Sequence, residues 1–175
     1  MFKVMIYHLK ITSPESTQFQ LELEVNGEHS FFDLHALIQK SLGFESHQLA
    51  SFFISDRKGR KLTEISLLDF GLNGGAYFNM HKTKISDFLE SNTSEMIYTY
   101  DFINDRSFYI ELTEIVMEKN LREPHVTSKQ GDAPVQVLDE LTDVQEAVNL
   151  QEEEVLMDFG ILDDYTELYG EMEDF

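Results

Sequence analysis

Six histidines, His8, His29, His35, His47, His81 and His125, are the side chains best suited to acid–base or metal chemistry in this 175-residue chain. No two lie four apart on a predicted helix and no H-E-x-x-H occurs, so their spacing predicts no metal site. Cysteine is absent, which excludes disulfides, cysteine-ligated zinc and thiol catalysis. There is no G-x-S-x-G elbow and no Ser/His/Asp set that stands out. The 33 acidic residues are too many for any pair to be singled out as acid and base. The expectation is a non-catalytic protein without cofactors. Asn73-Gly74-Gly75 lacks the Lys-Ser/Thr of a phosphate loop and reads as a turn. Tyr98, Tyr100 and Tyr109 could stack on bases, but no Lys or Arg interleaves them, and packing in a sheet explains them better. The one tight basic cluster is Arg57, Lys58, Arg60 and Lys61. It reads as a solvated hairpin turn around Gly59, or as a contact for an anion, an acidic partner or the chain's own C-terminal segment.

The elements that would position these residues centre on Ser30–Gly43 (SFFDLHALIQKSLG). Ser30 and Asp33 form a capping box, and Leu34, Leu37, Ile38 and Leu42 draw one apolar stripe. Gly43 supplies a left-handed stop. Gln39 and Lys40 fall on the wet side, and His35 at the stripe's boundary. A helix with one stripe calls for one covering sheet, which predicts a two-layer α+β domain. Before it, Met5, Tyr7, Leu9 and Ile11 share a face, as do Phe19, Leu21, Leu23 and Val25, giving a hairpin closed by Asn26-Gly27. After it, Leu49–Ser55 reads as a buried strand, Ser66–Gly71 as a short helical turn, Ala76–Met80 as a strand and Lys84–Glu90 as a short helix. Met96–Val116 reads as a long hairpin turning at Ile103-Asn104-Asp105. On its return strand Phe108, Ile110, Leu112 and Glu114 form one face. The sheet is therefore mostly antiparallel or mixed.

The opening YHLKIT, the helix DLHALIQKSLGF, the following SFFISD, YTYDF with its acidic turn and long strand, and the later EPHVTSKQGDAP fall in a familiar order. Over residues 3–134 the chain resembles the plasmid pRiA4b ORF-3-like proteins. It departs from them in having Ser107 and Phe108 where many relatives carry Trp. Pro124-His125 and Gly131-Asp132-Ala133-Pro134 stand, without any thiol, where they carry Cys. The resemblance implies a bacterial protein associated with plasmids and mobile elements. It implies no activity that can be placed on named residues.

Net charge is −20, and it is unevenly spread. Residues 131–175 hold fifteen Asp and Glu and no Lys or Arg, which sets them apart as an acidic extension to a domain of residues 1–134. Direct binding to nucleic-acid phosphates is not expected. No apolar run approaches the ~20 residues that cross a bilayer, and MFKVMIYHLK has no signal-peptide core, so a cytoplasmic, non-membrane protein is expected. Val137–Leu150 has helical spacing, and Glu152–Glu154 is a charge run. Phe159, Tyr165, Leu168 and Tyr169 then add large apolar groups that a solubilising tail lacks. Three functions follow. One is a binding module whose acidic-aromatic tail contacts a protein partner. Another is an acidic mimic that occupies the groove of a basic nucleic-acid-binding protein. An enzyme with a site that no motif announces is the third.

Overall fold

The computed structural model describes residues 4–71, 75–90, 95–118 and 121–138. Ser30 caps α1 (Phe31–Leu42) as the sequence requires: the Asp33 amide donates to its Oγ at 3.1 Å, and its own amide donates to Asp33 Oδ2 at 2.8 Å. Gly43 ends the helix at φ 68°. Twelve residues are too few to hold a helix in water by themselves, so the packing of one face supplies the rest. That face is Phe31, Leu34, His35, Ile38 and Gln39.

The covering layer is one eight-stranded sheet with strand order β5-β4-β3-β6-β7-β1-β2-β8. Its strands are β1 (Val4–Thr12), β2 (Gln20–Asn26), β3 (Ser51–Ser55), β4 (Lys61–Ser66), β5 (Tyr77–Asn79), β6 (Glu95–Asp101), β7 (Arg106–Glu118) and β8 (His125–Gln130). All neighbours are antiparallel except β4 and β5. A 3₁₀ turn at Ile85–Asp87 completes the elements. The fold is the expected two-layer α+β arrangement. Its core runs from Tyr7, Leu9 and Ile11 through Phe108, Tyr98 and Phe52 to Phe31, Leu34 and Ile38 of the helix.

Several local expectations are corrected. Gln39 is 5% exposed rather than wet, and His35 is 3% exposed rather than at a boundary. Both reach the hydroxyl of Tyr98, which gives these polar groups a partner inside the core. Met5 is exposed, near the start of β1 opposite the still more exposed Met117. Ser66 is the last residue of β4, paired with Ser51, and the residues after it bend without forming a helical turn. Glu114 is exposed because the β1–β7 register slips beside it: Leu112 faces Leu9 while Glu114 faces His8. Thr113 is the extra residue of this bulge and donates its hydroxyl to His8 O. The Pro-and-Gly stretch carries an edge strand, β8, that its polar sequence did not announce. The compact unit ends at Gln136, and a second begins at Val137. Phe159, Tyr165, Leu168, Tyr169 and nearly all of the expected Val137–Leu150 helix lie outside the described residues, as do Asn73 and Gly74.

Candidate functional site

Side chains of a strand alternate between faces, so each residue that faces α1 leaves a neighbour on the opposite side. On β6, Met96, Tyr98 and Tyr100 face the helix, and Glu95, Ile97 and Thr99 face away. Cross-strand pairing lines up Tyr109, Ile97 and Phe53 on that outer face. The adjacent row is Lys10, Glu111, Glu95, Ser55 and Lys61. Over these two rows lies a groove of about 300 Å³, bounded by Gly59 of the β3–β4 turn on one side and by Lys10 and Thr12 on the other. Ile97 forms a nearly buried floor, while Tyr109 is 52% exposed.

The groove is charged without being paired. Glu95 and Glu111 face each other directly across β6 and β7, an arrangement that costs stability. Among the described residues neither carboxylate has an ion pair, nor does Lys10. Lys61 is engaged elsewhere: its ammonium sits 4.3 Å over the Phe53 ring and 3.9 Å from Asp105.

The β3–β4 turn holds the basic cluster. Asp56 organises it, accepting from the amides of Lys58 and Arg60 at 2.9 Å and pairing with the Arg60 guanidinium at 2.7 Å. These bonds hold its carboxyl below the usual range, the Arg60 amide most of all. The four residues are therefore not one patch. Arg60 and Lys61 have anionic partners, whereas Arg57 and Lys58 project without a described one.

The histidines are scattered. His8 and His125 flank Glu24 at 3.5 and 3.4 Å, and His29 binds the carbonyl of Arg122. His47 lies beside Glu45, and His81 stacks on Phe32 at 3.9 Å. Among the described residues no group of three His, Asp or Glu could hold a metal.

His35 has a different role. Its Nδ1 lies 2.8 Å from the Tyr98 hydroxyl, which also accepts from Gln39 Nε2 at 2.7 Å. Burial, and then His81 nearby, push His35 down from 6.5 to about 4, and burial raises Tyr98. The unfolded chain therefore binds a proton at His35 below 6.5, and the folded chain only below about 4. Stability falls as pH drops through that window. Urea unfolding at neutral pH and near pH 4 is expected to show a loss roughly 2–3 kcal/mol smaller in His35→Gln than in the parent. Equal losses would mean that His35 is not the buried titrating group.

Sequence reasoning missed a second buried polar centre, at Arg106, which is 7% exposed. Its guanidinium makes a bidentate contact with Glu15 at 2.9 and 3.0 Å and lies 3.6 Å from Asp101. It also donates to the carbonyls of Val135 and Gln136 and lies 5.2 Å from the Tyr100 ring. The Arg106 hydrogen bond lowers Glu15, and the same bond raises Arg106. With all three of its nitrogens donating to Glu15 or to the Val135 and Gln136 carbonyls, Arg106 closes the end of the core. The one trace in the sequence was an Arg placed just before the aromatic return strand.

The fold and groove define a two-layer α+β domain that leaves the outer face of its sheet without a described covering element. The family model of the plasmid pRiA4b ORF-3-like proteins matches residues 6–167, and the chain belongs to that family. The match runs past Pro134 into the acidic segment. A crystal structure of MM3350, a protein of unknown function from Methanosarcina mazei Go1, shares the fold with a TM-score of 0.61 and 28% identity. The similarity covers 73% of this chain and 71% of that one. A comparison with curated proteins returns no match.

Proposed function

We propose that this chain is a non-catalytic binding module for a protein with a basic surface, and that its acidic C-terminal segment makes part of the contact. The observation that carries this reading is the charge distribution: fifteen acids and no Lys or Arg after residue 130. Such a field speeds the encounter with a basic partner and rejects acidic ones. Phe159, Tyr165, Leu168 and Tyr169 supply apolar anchors within it. Arg57 and Lys58 on the exposed β3–β4 turn provide a second contact, for acids on the partner's rim. The same reading keeps the protein in the cytoplasm and associates it with plasmids and mobile elements. The acidic run Glu152–Glu154 favours a more specific version, in which the segment occupies the nucleic-acid groove of its partner.

Affinity capture from nuclease-treated lysate, with the whole chain and with a variant carrying Ser at positions 159, 165, 168 and 169, tests this. The variant is expected to retain at least about tenfold less partner, and capture is expected to fall steeply with salt. Displacement by added DNA would select the groove-occupying version. Equal capture by both chains would remove the C-terminal segment from the interface.

A further inference from the structure

We propose that the outer-face groove receives an arginine side chain from an extended segment of the protein partner. This rests on the binding-module reading above and deepens it. The groove's charge is one cation short. Lys10 lies between Glu22 and Glu111 in the cross-strand row, and Lys61 is turned away to Phe53 and Asp105. Among the described residues of the lining, two carboxylates, Glu95 and Glu111, thus share one ammonium, Lys10, which lies on the far side of Glu111 from Glu95.

A partner side chain that brought one positive charge would turn this repulsion into two charge-assisted contacts. The geometry favours arginine over lysine. A planar guanidinium presents its donors as a fork, which suits two carboxylates on adjacent strands better than a point charge does. The exposed ring of Tyr109, one row away, offers that plane a face to stack on. A volume of about 300 Å³ has room for one arginine side chain. Residues 131–175 hold no Lys or Arg, so they bring no cation to the groove, and Lys129 before them is held by the carbonyl of Ser41.

The test uses the full-length chain and three blocked tripeptides, glycine on either side of arginine, lysine or citrulline, followed by amide chemical shifts of β6 and β7. The arginine peptide is expected to shift Glu95, Ile97, Tyr109 and Glu111 saturably. Citrulline, the neutral isostere, should bind about tenfold more weakly or worse, and lysine should fall between them. The double variant Glu95→Gln, Glu111→Gln keeps side-chain shape and removes the repulsion, so it is expected to fold and to lose the arginine preference. Arginine binding no better than citrulline would overturn the proposal. So would binding that is equal for lysine, or unchanged in the double variant. A chain that captures its partner through the C-terminal segment yet shows no arginine preference refutes the groove alone. Arginine binding without any capture of a partner refutes the module reading.

Discussion

Arg106→Met is expected to lower the unfolding free energy by about 3–5 kcal/mol, the range for removing one partner from a buried ion pair. The size follows from what the substitution strands. Asp101 and part of Glu15 lose their counter-charge, and the carbonyls of Val135 and Gln136 lose their donors. Against a typical total of about 5–15 kcal/mol, that is a large share of the whole. Glu15→Gln is the informative control. Its carboxylate is about a third exposed, so solvent screens the interaction and the loss is expected to stay near 1 kcal/mol. Urea unfolding of both variants checks the pair. Similar small losses would mean that Arg106 is not the clasp of the domain's C-terminal end. A lysine at 106 would not rescue the clasp, because three donors on one nitrogen cannot address two carboxylates and two carbonyls at once.

The second large effect is expected at Gly131. This residue ends β8 with φ +67°, and a Cβ built there would lie 2.4 Å from the carbonyl oxygen of Gln18 and 2.7 Å from its carbon. Both atoms are backbone, so neither can swing aside. Gly131→Ala therefore adds an overpacked contact to a left-handed strain, together about 3 kcal/mol. Gly59→Ala separates the two terms, since Gly59 has φ +74° and nothing within 4 Å of its Cβ position. It is expected to cost about 1 kcal/mol. If the two alanines cost the same, the close approach at Gln18 is not real.

These two residues anchor one feature, the run from Gly131 to Gln136 that straps the end of the sheet to the rest of the domain. Ser16 Oγ donates to Asp132 O at 3.0 Å, and Gln136 bonds both ways with the backbone of Glu45, at 2.6 and 2.9 Å. Ala133 packs on the core. The strap explains physically why a Gly-Asp-Ala-Pro run follows the last strand: the chain must turn through a left-handed residue where no side chain fits.

What could be read beforehand was whatever rests on neighbours in sequence. Ser30, Asp33 and Gly43 mark the ends of α1 because capping involves residues three or four apart, and Phe19 to Val25 alternate because a half-buried strand must. The misses all depend on contacts across the fold. Gln39 and His35 are buried because Tyr98, some sixty residues later, brings a hydroxyl to them. Glu114 turns outward because β1 and β7 slip past one another. β8 is an edge strand whose exposed side leaves its composition polar. The outer-face groove was hidden for the same reason: Lys10, Glu95 and Glu111 are scattered in sequence and meet only through strand pairing. Of the site expected in advance, the Arg57–Lys61 cluster holds two ion-paired residues and two without an anionic partner among the described residues.

The central claim, that the outer face of the sheet and the acidic segment carry binding, is tested most directly by hydrogen exchange on the full-length chain with and without its captured partner. The account predicts added protection in β6, β7, the β3–β4 turn and residues 152–175, with α1 and its loops unchanged. Protection confined to the helix side, with β6, β7 and the C-terminal segment exchanging as before, would contradict it.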